Sequence, residues 1–223
     1  MPTAPRADAP LNDIVAMPAH ALSEAIRLRK VSCREVMAAY LAHIDHVNPK
    51  LNAIVARRDS DDLMREAAER DAQLDAGQWL GWLHGMPQAP KDLTAVRDMV
   101  TSMGSLVYKD LVTPHDSIMI ERMRASGAIF IGRSNVPEFG LGSHTYNRVY
   151  GTTGNPYNPA KTAGGSSGGA AAALPRRWRP ACCRWRTAAI SAVRCAIRPP
   201  SATSTACGRR PGACRSGRRP KCS

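Results

Sequence analysis

Two adjacent serines flanked by glycine pairs form the part of this sequence best suited to chemistry. Ser166 and Ser167 lie within Gly164-Gly-Ser-Ser-Gly-Gly169. Glycine permits positive φ and close approach of other groups. A loop of this kind can therefore direct a hydroxyl and several backbone N–H groups into one small space, as acyl transfer through a serine requires. The alternative interpretation is a flexible Gly/Ser linker.

Lys91 is the second residue of interest, because it ends an uncharged run from Gly85 to Pro90. A lysine there is unusual, since burying an ammonium group is costly unless it is paired or neutral. On local sequence alone, a surface lysine beside Asp92 is the favoured alternative. Pro90 cannot donate a strand hydrogen bond, so we expect it to weaken the local geometry at Lys91.

Composition divides the chain into two parts. Residues 175–223 hold twelve Arg, one Lys and no acidic residue, which accounts for the whole net charge of +13. Residues 1–174 carry equal numbers of acidic and basic residues. We therefore predict one domain over residues 1–174 and a separate, disordered basic tail over 175–223, which has too few large aliphatic residues to form a core.

The length and hydropathy of the chain limit its class. A chain of 223 residues can form one or two ordinary domains. No apolar run is long enough to span a membrane. The first ten residues lack the apolar segment of a secretory signal, so we expect a cytoplasmic protein.

Helical spacing and capping residues predict three helices in the first 77 residues. The first covers residues 19–30, with inward positions at Leu22, Ala25, Ile26 and Leu28. Ser32 and Glu35 form a capping box for the second, whose inward residues are Val36, Tyr40, Leu41 and Ile44. We expect that helix to end at Asn48-Pro49 and a short strand to cover residues 51–55. Residue 59 or 60 caps the third helix, and Gly77 follows its end.

The next segment alternates between helix and strand. Asp116 is predicted to cap a helix that Gly127 closes, and residues 128–131 read as a buried strand of the parallel type. Residues 132–140 and 151–159 are rich in turn residues and are predicted loops. Helix-then-strand order with short connections predicts the α/β class.

Four sequence pieces, in a fixed order, resemble the amidase signature family over roughly residues 15–174. They are Leu83-His-Gly-Met-Pro with Lys91-Asp-Leu93, Gly132-Arg-Ser-Asn-Val-Pro-Glu-Phe139, Gly151-Thr-Thr-Gly-Asn-Pro-Tyr-Asn-Pro159 and Gly164-Gly-Ser-Ser-Gly-Gly169. The resemblance implies a mixed sheet flanked by helices, and hydrolysis or transfer of carboxamides through a Ser–Ser–Lys triad. It also implies a small-molecule amide substrate, with no metal and no cofactor.

The resemblance also assigns roles to individual residues. Lys91 matches the catalytic lysine, and Ser166 matches the bridging serine, which the family holds with a cis peptide bond. Gly140 lies near a position whose backbone lines the acyl site, and Ser167 is placed with it in substrate binding. Desolvation can lower a lysine pKa from ~10.4 far enough to leave a neutral amine. That amine can take a proton from Ser166, which in turn takes one from the nucleophile.

The nucleophile of the family has no match in this chain. It is a second serine in a segment like Gly-Ser-Asp-x-Gly-Gly-Ser-x-Arg, about two dozen residues past the bridging serine, which also supplies oxyanion-hole N–H groups. Here that region reads Thr187 to Arg194. Ser191 lies near the expected distance but has no glycine context, so we do not interpret it as the nucleophile.

A change of reading frame explains this difference. When residues 182–197 are back-translated with GC-rich codons and read from the last base of the Ala181 codon, they become MLPVADGSDLGGSLRN, which contains the missing motif. The same shift over residues 203–215 gives NVYGLRPSPGRVP. Out-of-frame GC-rich DNA also yields Arg, Ala, Pro, Cys and Ser, the composition of the tail. The hypothesis is therefore that the reading frame of the coding sequence shifts near Leu174.

The tail has a second interpretation as a basic arm that binds nucleic acid. Arg209-Arg210 and Arg218-Arg219 could bind phosphates, and Trp178 and Trp185 could stack on bases. We favour an out-of-frame tail with incidental charge, and consider a nucleic-acid partner the less supported alternative.

The remaining cysteines and histidines show no metal-ligand spacing. The six tail cysteines lack a CxxC pattern, which argues against a zinc site. His84 is read as a loop histidine without a partner. Cys33 follows a helix cap, where a lowered thiol pKa is possible, although we favour a small buried residue.

Overall fold

A computed structural model describes residues 13–173 of the chain. The predicted disorder of residues 175–223 and the candidate Ser191 lie outside these described residues. The helices are α1 (Asp13–Ala16), α2 (Ala19–Arg27), α3 (Cys33–Leu51), α4 (Ser60–Asp75), α5 (Ile118–Ala125) and α6 (Gly168–Ala172). The strands are β1 (Ile54–Val55), β2 (Pro87–Gln88), β3 (Ile129–Phe130), β4 (Arg133–Ser134), β5 (Tyr146–Asn147), β6 (Gly151–Thr152), β7 (Gly154–Asn155) and β8 (Asn158–Thr162).

Helices α3 and α4 begin at their predicted capping residues, and α2 begins at the predicted residue 19. The Ser32 hydroxyl accepts from the Glu35 backbone N–H, and the Glu35 carboxylate accepts from the Ser32 backbone N–H, which completes the predicted capping box at α3. Asp59 caps α4, and Gly77 follows its end with φ of 76°. Because α2 ends at Arg27, Leu28 lies beyond the helix and is 49% exposed, so its predicted inward position is wrong.

Helix α3 runs past Asn48-Pro49 to Leu51, which corrects the predicted end. It stops at Asn52, whose left-handed conformation (φ 48°) reverses the chain. The Asn48 side chain holds this reversal, since its oxygen accepts from the backbone N–H groups of Ala53 and Ile54 and its amide donates to the Ile54 carbonyl. The strand that follows therefore covers only residues 54–55.

The sheet elements are short and mix both orientations. Strands β2 and β3 pair in parallel, whereas β1 pairs with β4, β5 with β6 and β7 with β8 in antiparallel fashion. The predicted buried parallel strand at residues 128–131 is confirmed. Helices and small mixed sheets together confirm the α/β class with helices flanking a partial sheet.

One apolar core joins the helices to the buried strands. Its fully buried members include Leu22, Met37, Leu63, Ile120 and Phe130. Helix α5 packs Ile120 against this core, but it is capped differently from the prediction. Ser117 occupies the cap position, while the Asp116 carboxylate accepts from the Arg97 backbone N–H and pairs with Arg124. Among residues 13–173 there is no helix of the length and apolar character that a membrane span requires.

Candidate active site

Lys91 lies in a segment that continues the parallel strand pairing. The Ser134 backbone N–H donates to the Pro90 carbonyl at 2.9 Å, and the Asp92 backbone N–H donates to the Ser134 carbonyl at 3.2 Å. These two bonds form a parallel bridge between Lys91 and Ser134. The ladder uses the carbonyl of residue 90 and not its nitrogen. Pro90 therefore costs the ladder no hydrogen bond, and the expected weakening of the backbone geometry at Lys91 is not observed.

The side chain of Lys91 is buried, which rules out the surface interpretation. The residue is only 7% exposed. Burial lowers the pKa of the Lys91 amine, because desolvation penalises the charged form. Within residues 13–173, no carboxylate lies close enough to Lys91 to form an ion pair. Burial without a paired carboxylate therefore favours the neutral amine over the ammonium ion.

Ser166 lies on a loop in which the backbone is packed tightly against residues 143–145. The Gly165–Ser166 peptide bond is cis. A Cβ placed on Gly165 would lie 2.9 Å from the His144 nitrogen, so no larger residue fits there. The Gly168 backbone N–H donates to the hydroxyl of the fully buried Thr145 at 3.0 Å. These contacts fix the backbone on both sides of Ser166.

The structure brings Lys91 and Ser166 together, although 75 positions separate them in sequence. The Lys91 Nζ donates to the Ser166 Oγ at 3.2 Å. A lysine amine and a serine hydroxyl at this distance can exchange a proton directly. The arrangement can thus act as a base that draws a proton through a hydroxyl.

The other two candidate site residues have local roles in the described structure. Ser167 precedes α6, and its carbonyl accepts from the Ala171 backbone N–H at 2.9 Å. Gly140 has φ of 71°, and a Cβ there would lie 2.6 Å from a methyl carbon of Leu93. Its backbone N–H donates to the Pro137 carbonyl at 2.8 Å. Neither residue forms a hydrogen bond with the Lys91–Ser166 pair within residues 13–173.

A buried ion pair next to Lys91 was missed by sequence reasoning. Asp92 and Arg133 are both 0% exposed, and the Arg133 Nε lies 3.5 Å from the Asp92 Oδ1. Ser102 donates to the same carboxylate through its hydroxyl at 2.5 Å and its backbone N–H at 3.0 Å. Burial raises the pKa of Asp92, and the bonds from Ser102 and the charge of Arg133 oppose that shift. Arg133 follows the apolar residues 128–131 after a single glycine, and that context is the one sequence signal for its burial.

His84 and Cys33 have structural surroundings that differ from those of reactive groups. The Nδ1 of His84 accepts from the Leu80 backbone N–H, so its Nε2 carries the hydrogen and donates to the Arg70 carbonyl at 2.9 Å. His84 lies in a turn, as a loop histidine should, but it is fully buried and stacks on Trp79, so only the expectation that it has no partner is wrong. Burial raises the pKa of the Cys33 thiol, which rules out the activated thiol that a helix cap could produce.

The residues described contain no group of three or more His, Cys, Asp or Glu side chains placed to hold a metal ion. The tail cysteines of the sequence analysis lie outside them.

Comparison with known proteins shows where this arrangement belongs. The family model described as amidase matches residues 35–221. The chain is 38% identical over 153 residues to an acylamidase of Rhodococcus erythropolis, covering 69% of this chain and 32% of the relative. It is 37% identical over 164 residues to a glutamyl-tRNA(Gln) amidotransferase component from Acidothermus cellulolyticus, covering 74% of this chain and 32% of the relative.

A solved structure agrees with the sequence relatives. A bacterial aryl acylamidase of the amidase signature family superimposes with a TM-score of 0.67 at 30% identity, over 72% of this chain and 34% of that one. The chain spans about a third of the length of the curated relatives that it matches. The match of the family model over most of the chain establishes its membership, and the chain belongs to the amidase signature family.

Proposed function

We propose that this chain carries the proton-relay part of a carboxamide hydrolase that works through an acyl-serine intermediate. Lys91 is the base and Ser166 is the bridging hydroxyl. The observation that carries this proposal is the 3.2 Å hydrogen bond between Lys91 Nζ and Ser166 Oγ at a buried lysine. Burial lowers the pKa of Lys91, so a larger fraction of its amine is neutral and able to accept a proton than in a solvated lysine.

The relay moves protons in two directions during one turnover. Lys91 first takes the Ser166 hydroxyl proton while Ser166 takes the proton of the attacking serine. After the amide carbonyl is attacked, the same protons return and the leaving amine departs protonated. We assign substrate contacts to Gly140 and Ser167. Ser167 follows Ser166 in the chain, and Gly140 packs against Leu93, two residues after Lys91. The substrate class is a small-molecule carboxamide.

The attacking serine is the part of the relay that this chain does not encode in its present frame. We propose that it lies in the shifted frame of residues 182–197, within the Gly-Ser-Asp-Leu-Gly-Gly-Ser-Leu-Arg sequence that this frame yields. Without it the covalent route is lost, and we expect little or no amidase activity from the chain as written. Sequencing the coding DNA tests the frame directly, because codons incompatible with the shifted reading would refute it.

A matched pair of proteins tests the function itself. The first is the chain as written, and the second is the product after one base is inserted upstream of the Cys182 codon. A fluorophosphonate probe and an amide-hydrolysis assay should detect a reactive serine only in the second. In that product, Lys91→Met and Ser166→Ala should each lower turnover by about a hundredfold or more. Labelling of Ser166 or Ser167 in the chain as written would contradict the assigned roles.

A further inference from the structure

The parallel bridge at Lys91 places a second hydroxyl, that of Ser134, on the same face of the ladder as the lysine side chain. Residues paired across a sheet project their side chains to the same face. Ser134 is the bridge partner of Lys91, so its side chain lies on the Lys91 face of this ladder. The Asp92 and Arg133 side chains pair with each other, each one position away in its strand, and therefore occupy the opposite face. The Ser134 hydroxyl thus lies on the face of the ladder that carries the Lys91 side chain, opposite the ion pair.

The Ser134 hydroxyl is buried and forms no hydrogen bond with the part of the chain that the structure describes. The residue is 1% exposed, and its Oγ has no hydrogen-bond partner within residues 13–173. A buried polar group without a partner is costly, and most such groups in native proteins are satisfied. Replacement of the hydroxyl by hydrogen would remove that cost. The Ser134 hydroxyl would avoid this cost if it gained a hydrogen-bond partner when the Lys91 amine is protonated.

The protonated amine supplies that partner. A lysine ammonium has three N–H donors and no acceptor. One is directed to Ser166 in the structure. When the Ser166 O–H bond breaks and a new N–H bond forms at Lys91 Nζ, the amine becomes an ammonium in a buried place, and its additional donors need acceptors.

We propose that Ser134 is a positioning residue of the relay, whose hydroxyl accepts an N–H bond from Lys91 when the amine is protonated. This inference rests on the relay proposed above and extends it to a residue outside the Ser–Ser–Lys set. Both side chains lie on one face of the ladder, so the bond requires only that the two side chains turn towards each other. The bond stabilises the charged state of the base at the moment when the nucleophile loses its proton.

Other charged and titratable groups near the site have their own partners or are exposed. Asp92 and Arg133 form the ion pair on the opposite face. Burial raises the pKa of Tyr150 and a hydrogen bond with Ser102 opposes that shift, which places the tyrosine side chain in the same cluster. The segment packed against Gly165 carries His144, which is exposed. A change at Ser134 therefore acts on Lys91 without removing any of these contacts.

Titration of Lys91 in the complete chain tests the proposal without any need for activity. Competitive acetylation with acetic anhydride across a pH series, followed by peptide mass spectrometry, gives the midpoint of each lysine. The exposed residues Lys30, Lys50, Lys109 and Lys161 serve as internal references. Ser134→Ala should lower the Lys91 midpoint by about one pH unit, because the ammonium loses an acceptor. Ser134→Thr, which keeps the hydroxyl, should leave it within about 0.3 unit of the original.

Ser117→Ala is the matched control, because the Ser117 Oγ is also buried without a partner among the described residues but belongs to the cap of α5. It should leave the Lys91 midpoint unchanged. If Ser134→Ala behaves like Ser117→Ala, the proposal is wrong while the relay stands. If Lys91 of the unsubstituted chain titrates with the exposed lysines, it is the relay that is refuted. Should Ser134→Ala fail to fold by circular dichroism, Ser134→Cys, a weak acceptor, replaces it with the same expected shift.

Discussion

Lys91 and Asp92 are consecutive buried residues, but neighbouring groups compensate only the charge of Asp92. Asp92 faces Arg133 and two donors from Ser102, so its charge is compensated. Lys91 faces the hydroxyl of Ser166 and, within the described residues, no carboxylate. A compensated buried charge holds two segments together, whereas an uncompensated one loses its proton more readily. Within one short segment, the charge of Asp92 is thus compensated on one face, and the charge of Lys91 is left uncompensated on the other.

Removing the positive charge of Arg133, which compensates Asp92, should have the largest effect on stability. Arg133→Met leaves the Asp92 carboxylate buried and unpaired, which we expect to lower the free energy of unfolding by about 3–5 kcal/mol. Denaturant unfolding followed by circular dichroism measures the loss. The double variant Asp92→Asn with Arg133→Met should recover a large part of it, since no buried charge then remains. A loss below about 1 kcal/mol in the single variant would mean that the pair is not structural.

The loop that presents Ser166 to Lys91 depends on a neutral hydrogen bond, and its loss should cost less. Thr145→Val keeps the shape of the side chain but leaves the Gly168 N–H without its acceptor. We expect a loss of about 1–3 kcal/mol in the free energy of unfolding. Thr145→Ser retains the hydroxyl and should lose less. Equal losses in the two variants would show that the methyl group matters and the hydrogen bond does not.

The uncompensated charge should give the stability of the protein a characteristic pH dependence. The pKa of Lys91 is lower in the folded chain than the unfolded value of ~10.4. Between these two values the unfolded chain binds more protons, so the free energy of unfolding rises with pH. Below the folded pKa both states are protonated and this contribution is absent. Lys91→Met should abolish the rise, as unfolding curves from neutral to alkaline pH would reveal.

A Lys91→Arg variant is the control for this pH dependence. Its guanidinium stays charged throughout the range, so the rise with pH should also disappear, while the cost of burying a charge remains. An unchanged rise in either variant would mean that another group, and not Lys91, titrates between the two states.

Sequence patterns predicted the local features of this fold well because short-range physics determines them. The capping box at Ser32, the cap at Asp59 and the apolar strand at residues 128–131 each depend on a few neighbouring residues. The proximity of Lys91 and Ser166 was expected only through the family resemblance, since 75 residues separate them. The structure supplies the distance between them but leaves their catalytic roles a proposal.

Features that depend on distant partners were missed. Nothing near Asp92 indicates Arg133, and nothing near His84 indicates the Arg70 carbonyl that it contacts. Leu28 was misplaced because the helical pattern continues past the point where the backbone leaves the helix. Asp116 was assigned to a cap because aspartate favours that position, but its carboxylate instead pairs with Arg124. For Asp92, His84 and Asp116, a tertiary contact overrode a local preference.

The smallest effect on stability is expected for an arginine–aspartate pair that is exposed to solvent. Its cost is the reference against which the cost of Arg133→Met is compared. Arg65 pairs with Asp62 on the surface of α4, and both side chains are about half exposed or more, at 68% and 47%. Arg65→Gln keeps a good helix former and removes the charge, so the free energy of unfolding should change by about 0.5 kcal/mol or less. The same denaturant experiment as for Arg133→Met measures it. If the two substitutions had similar costs, burial would not distinguish the pairs, and the contrast drawn between Asp92 and Lys91 would lose its physical basis.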